Sequence, residues 1–210
     1  MTIIQKAYDN WSEIYDSNKN KTRDLDQKAT KDMLSKITFD SVLELGCGTG
    51  KNTEWLVQKA TQVVAVDFSQ GMLAVAKAKI KATHVLFIPT DVAKNWDFTD
   101  QTFDLITCNL ILEHIENLDF IFRQAYQKLG NKGYFFVSEL HPFKQYLGTK
   151  ARYETEKGIE ELEVFVHHIS DFTDAALQNG FKIRELKEFW HDEDEKTVPR
   201  LITFVFEKND

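Results

Sequence analysis

The chain is poor in the residues that mark several protein classes. Its 210 residues include two cysteines, three prolines and nine glycines. Two cysteines, Cys47 and Cys108, do not make a disulfide framework, so a reducing, cytoplasmic setting is expected. So little proline and glycine excludes a collagen-like or low-complexity chain. No stretch of uncharged apolar residues is long enough for a membrane-spanning helix. The opening residues Met1 to Lys6 lack the basic, apolar and small-residue regions of a secretory signal. Positive charge is in deficit: 26 Lys and Arg face 33 Asp and Glu, a net charge of −7. That balance argues against a nucleic-acid coat. What the chain does have is core material, with 42% apolar residues and 16 phenylalanines. At this length they suit one compact domain.

Short apolar runs recur at Val42-Leu43, Val63–Val66, Val85–Ile88, Phe103–Ile106 and Tyr134–Val137. Runs without polar alternation suit strands buried on both faces, as in a parallel sheet. Helical patterns separate them. The clearest places Leu118, Ile121, Phe122, Ala125, Tyr126 and Leu129 on one stripe, with a stop expected at Gly130. Ser69 is the expected N-cap of another helix, and Ser170 of a third that ends before Gly180. Residues 3–37 read as two polar-faced helices, and Phe181–Trp190 with Leu201–Phe206 as an antiparallel hairpin at a sheet edge. Strand–helix alternation of this kind specifies an open α/β sheet with right-handed crossovers.

The richest segment is Val42-Leu43-Glu44-Leu45-Gly46-Cys47-Gly48-Thr49-Gly50. A buried strand entering a glycine turn before a helix forms a ligand cradle, because the backbone approaches closely and the helix start offers N–H groups. A dinucleotide fingerprint would place its third glycine at position 51, which is Lys51. Glu44, two residues before the first glycine, would repel a pyrophosphate and attract an ammonium. An acid suited to ribose hydroxyls, Asp67, follows Gly46 by 21 positions at the end of the second strand.

Val42–Gly50 resembles the first motif of class I S-adenosylmethionine-dependent methyltransferases. The resemblance extends over roughly residues 38–140. It implies a Rossmann-like, doubly wound fold with a mostly parallel seven-stranded sheet, an antiparallel edge strand and an N-terminal helical lid. It also implies S-adenosylmethionine as cofactor and S-adenosylhomocysteine as product. Gly46, Gly48 and Gly50 would then cradle the cofactor, Glu44 would face its ammonium, and Asp67 its ribose. Phe68 and Met72 would pack on adenine, Asp91 would accept its amino proton beside the Val92 N–H, and Asn109 would lie near the methionyl end. Tyr8, Trp11 and Tyr15 recur at helical spacing in the lid. Arg23 is a candidate partner for the cofactor carboxylate.

The remaining expectations concern the acceptor. The fifth strand ends in Ser138-Glu139-Leu140-His141, which offers Glu139 and His141 as catalytic candidates, with imidazole as the base. His114 fits a structural role. Residues 143–169, with Tyr146, Tyr153, Phe165, His167 and His168, read as a substrate-facing insertion, and residues 170–210 as a terminal helix and hairpin. No ligand spacing for a metal is visible. Cys47 reads as a small packing residue, and the acidic run His191–Glu195 as a solvated loop. The expected reaction is methyl transfer to a small-molecule O, N or C nucleophile, without membrane or nucleic-acid partners. The alternatives are an NAD-type oxidoreductase and a non-catalytic cofactor- or partner-binding protein of the same fold.

Overall fold

The structure, a computed structural model, describes residues 3–149, 152–155, 158–161, 164–195 and 197–209. Two N-terminal helices, α1 (Ile3–Trp11) and α2 (Lys21–Leu34), precede the sheet. Five parallel strands follow: β1 (Ser41–Leu45), β2 (Gln62–Asp67), β3 (Val85–Pro89), β4 (Phe103–Asn109) and β5 (Leu129–Leu140). Between them lie α3 (Thr53–Leu56), α4 (Gln70–Lys79) and α5 (Leu118–Lys128). A short α6 (Pro142–Tyr146) and a separate hairpin, β6 (Arg152–Thr155) with β7 (Gly158–Glu161), come next. The helix α7 (Ile169–Gln178) leads into β8 (Phe181–Phe189) and β9 (Leu201–Lys208).

The strand order is β3-β2-β1-β4-β5-β9-β8. Sequence order reverses between β1 and β4, and ligands of open α/β sheets bind beyond the strand ends at such a switch point. The β8–β9 hairpin closes one side, with β9 antiparallel to both β5 and β8. The central strands are buried on both faces, as their unalternating apolar runs require. On one face Phe122 of α5 sets its ring edge-on against Phe135, Phe181 and Phe206, with centroids 5.1, 6.1 and 5.2 Å away.

Several local expectations are corrected. The stripe of α5 ends at Lys128 and Leu129 opens β5 directly, so Gly130 and Gly133 are strand residues. The cap of α7 is His168, two residues before Ser170. Asp171 reaches back to accept the His168 N–H at 2.8 Å, which fixes the helix start there. The acidic loop is not uniformly solvated: the Asp194 side chain is 6% exposed and is held by Arg200. That contact sits among those that keep its carboxyl at about 2 against the opposing pull of burial. The 143–169 stretch is α6, the β6–β7 hairpin and a link to α7, with the Tyr153 side chain outside the described ones. Among the described residues, no helix is long and apolar enough to cross a membrane.

Candidate cofactor and active site

A cavity of about 260 Å³ opens at the switch point, beyond the ends of β1, β2 and β4. The β1 strand delivers Glu44 and then turns at Gly46, whose φ of +66° lies in the left-handed region. A Cβ there would sit 2.4 Å from Ile111 Cγ2, so only glycine fits. The turn is tied to β2, since the Cys47 N–H donates to the Val66 carbonyl at 3.0 Å. Asp67, at the end of β2, holds it again: its carboxylate accepts the N–H of Gly48 at 2.9 Å and of Ser69 at 2.8 Å.

The buried charged groups are acids, while Arg23 and Lys51 add cations to the cavity lining. Asp26, Glu44 and Asp67 all line the cavity and are 4%, 4% and 6% exposed. Glu44 accepts from Thr53 Oγ1 at 2.5 Å, and Asp26 from Asn52 at 3.0 Å and Asn109 at 2.8 Å. These partners are neutral. Burial therefore raises all three carboxyls, Glu44 to about 8 and Asp67 to about 6, and the neighbouring acids push Glu44 further. Buried acids with neutral partners around a cavity suit a ligand that brings its own positive charge.

The lid supplies the roof. Asp9 accepts from Ser69 Oγ at 2.6 Å and from the Gly71 N–H at 3.0 Å, docking α1 on α4. Asp16, in the turn after α1, accepts from Thr49 Oγ1 at 2.6 Å and Lys79 Nζ at 2.8 Å. Tyr15 lies past the end of α1, yet its ring meets Trp11 at 4.9 Å and Tyr8 at 6.4 Å. Tyr8 and Tyr15 line the cavity, and Trp11 does not. Arg23 stacks on Tyr15 at 3.8 Å and donates to the carbonyls of Tyr15 and Asn18. At the wall, the Tyr8 hydroxyl and His114 Nε2 are 3.0 Å apart. Burial pushes the Tyr8 phenol well up, so it stays protonated.

Of the residues expected from sequence, Tyr15, Arg23, Glu44, Gly46, Gly48 and Asp67 line the cavity, as do Phe68, Met72, Asp91, Val92 and Asn109. Three do not. Gly50 has φ +82° and faces away, where a Cβ would meet Ile80 Cδ1 at 2.7 Å. Glu139 is spent on the backbone, accepting the N–H groups of Ile111 and Leu112 at 2.9 and 2.8 Å. His141 is fully buried: Nδ1 accepts the Phe143 N–H and Nε2 meets Glu188 at 2.9 Å. With both ring nitrogens occupied, it caps α6. His167 likewise holds the carbonyls of Leu112 and Ile115. Sequence reading missed Asp26 entirely and read His114 as structural. The signal for Asp26 is its three-residue spacing from Arg23. Among the described residues, no group of His, Cys, Asp and Glu is arranged to hold a metal ion.

Residues 43–137 match the family of the methyltransferase domain. That match, to a methyltransferase domain, takes in under half of the chain. Among its relatives, the malonyl-[acyl-carrier protein] O-methyltransferase of Bacillus cytotoxicus is 29% identical over 195 residues, 88% of this chain and 66% of that protein. Across four such enzymes this chain spans 48% to 66% of their length. A methyltransferase from Mesorhizobium loti superposes with a TM-score of 0.72 at 22% identity, covering 86% of this chain and 96% of that one. The N-methyltransferase NodS of Bradyrhizobium japonicum, solved with S-adenosylhomocysteine, gives 0.71 at 16% identity, covering 99% and 97%. The matched residues fall on the five parallel strands β1 to β5 and the helices between them, and the N-terminal helices and the terminal hairpin lie outside them.

Proposed function

We propose that this protein is a methyltransferase that binds S-adenosylmethionine in the switch-point cavity and transfers its methyl group to a small-molecule O, N or C nucleophile. The observation that carries the reading is the set of buried carboxylates with neutral partners beside the glycine turn. When bound, the cofactor supplies an electrophilic methyl on a sulfonium, which leaves as a neutral thioether. The chain's residues divide along the cavity. Phe68, Met72, Asp91 and Val92 form an adenine end, and Asp67 stands between that end and the turn, where it would accept from ribose hydroxyls. Arg23, Glu44 and Asn109 form the opposite end, for the amino-acid moiety. Tyr15 closes over it and excludes water.

The protein's work in such a displacement is alignment and, for a protonated acceptor, removal of one proton. Tyr8 and His114 are the pair in place for that. The acceptor proton passes to the Tyr8 oxygen while the Tyr8 proton passes to His114 Nε2. With its proton held by the Tyr8–His114 pair, the acceptor's electron pair would be free for the methyl group that the bound cofactor would supply. The imidazolium then loses its proton to solvent. This reading moves the base from His141 to His114, because His114 lines the cavity. The O-methyltransferase names of relatives support an oxygen acceptor, and NodS a nitrogen one.

Calorimetric titration with S-adenosylhomocysteine and, separately, with NAD tests the cofactor. Saturable binding of the first and none of the second is expected. Binding of NAD instead would replace the methyltransferase reading with the oxidoreductase alternative.

A further inference from the structure

The amino-acid end of the cofactor is a zwitterion, and two oppositely charged residues of α2 line the cavity where that end would lie. Arg23 and Asp26 are three residues apart, so they share one face of the helix, with Cβ atoms roughly 5–6 Å apart. Their placement is rigid. Asn20 caps α2 by accepting the N–H groups of Thr22 and Arg23, each at 3.0 Å. Asp26 is 4% exposed and bridges Asn52, just after the glycine turn, to Asn109, at the end of β4. Both of those residues line the cavity. The bridge puts Asp26 at the end opposite Phe68 and Asp91. We infer that Asp26 is a second counter-ion for the cofactor's α-ammonium, across from Glu44, and that with Arg23 it makes α2 a clamp for the α-amino-acid zwitterion. The inference rests on the cofactor reading above and extends it to a residue outside the matched domain.

The division of labour follows from chemistry. A guanidinium fork matches a carboxylate, and Arg23 has spent two of its five N–H groups on carbonyls. A carboxylate offers about four acceptor sites, and the amide donors of Asn52 and Asn109 with the Ser138 hydroxyl on Asp26 leave one for an ammonium. A charge so placed reads the presence of an α-amino group and is indifferent to the adenosyl part.

Three ligands separate the terms: S-adenosylhomocysteine carries both charges, decarboxylated S-adenosylmethionine keeps the ammonium and lacks the carboxylate, and 5′-methylthioadenosine lacks both. Dissociation constants are measured for the wild-type chain, Asp26→Asn and Arg23→Gln. Asp26→Asn is expected to weaken the first two at least about tenfold and methylthioadenosine by less than about twofold. Arg23→Gln is expected to weaken S-adenosylhomocysteine alone. Asp26→Ser, which keeps an acceptor for Asn109 without the charge, repeats the test if the asparagine variant folds poorly. Because each comparison is made within one protein, a reduced active fraction cancels. Equal losses on all three ligands would mean that Asp26 only holds Asn52 and Asn109, and no loss would mean that it is idle; either overturns the clamp alone. A wild-type chain that binds none of the three overturns the cofactor reading as well.

Discussion

Glu44 has a use that conflicts with stability in the ligand-free protein. Its carboxyl lies at about 8 when folded, against roughly 4.3 in an unfolded chain. Between those values the folded state holds a proton that the unfolded state has released. The stabilising contribution is therefore complete below pH ~4.3 and is lost as pH rises through about 8. Glu44→Gln removes this slope. Its melting temperature should gain on the wild type as pH is raised from 5 to about 8, while its affinity for S-adenosylhomocysteine drops about tenfold or more. Parallel melting curves across that range would show that Glu44 is not the buried proton holder. For the wild type, an ammonium placed beside Glu44 restores its charge, so cofactor binding should tighten as pH rises toward 8 and release protons, measurable by calorimetry in two buffers of different ionisation heat. The same scale decides the base. Once an acceptor is known, His114→Gln and Tyr8→Phe should lower kcat by about 10²–10⁴-fold with cofactor affinity nearly intact, and His141→Gln should not. A selective kcat loss in His141→Gln alone would return the role to the strand-five histidine. The glycine turn, Glu44 and Asp67 were legible because their chemistry is fixed by neighbours in sequence. Tyr8 was legible as a lid aromatic, but Asp26 and the contact of Tyr8 with His114 were not, because they arise only through tertiary packing, and His141 was misread because strand position does not reveal that Glu188 and the Phe143 N–H occupy its ring.

The helical lid is held by side chains that reach the elements beneath it. Asp9 anchors α1 to the start of α4, and Asp16 joins the lid to the glycine turn at Thr49 and to Lys79. Cofactor exchange requires the roof to part, and the Asp16 contacts are a natural first break. Charged hydrogen bonds of this kind contribute about 1.5–3 kcal/mol, less where exposed. Asp16→Ala should raise the dissociation rate of S-adenosylhomocysteine about threefold to tenfold, read by stopped-flow displacement. An unchanged rate would mean that the lid is not what retains the ligand. Polar-faced helices were readable in residues 3–37, but the docking partners were not, since single acids at the helix surface look solvated in sequence. The central strands were read correctly for the opposite reason: an apolar run buried on both faces has few other homes. Helix ends were less legible, as α5 shows, because Leu129 already pairs with Phe103 of β4, which leaves the glycines that would otherwise end the helix inside β5.

At the scale of the molecule, one face of the sheet is closed by the phenylalanine cluster around Phe122, which joins α5 to β5, β8 and β9. Phe122→Ala should destabilise the fold by about 3–5 kcal/mol in denaturant titration, and a loss under ~1 kcal/mol would show that the cluster repacks. The doubly wound architecture was legible as strand–helix alternation and the final two strands as an antiparallel edge hairpin, whereas the placing of β9 between β5 and β8 required the structure. That placing has a consequence for synthesis. The strand β9, which follows every other strand in sequence, sits between β5 and β8. A nascent chain that still holds residues 201–208 inside the ribosome lacks the strand that ties β8 to the sheet. The edge of β5, with the apolar Phe135 and Phe136, is then unpaired, an arrangement prone to edge-to-edge association. The sheet therefore becomes whole only when its sequence-last strand slides into place, and until then a holdase chaperone has a binding surface to guard.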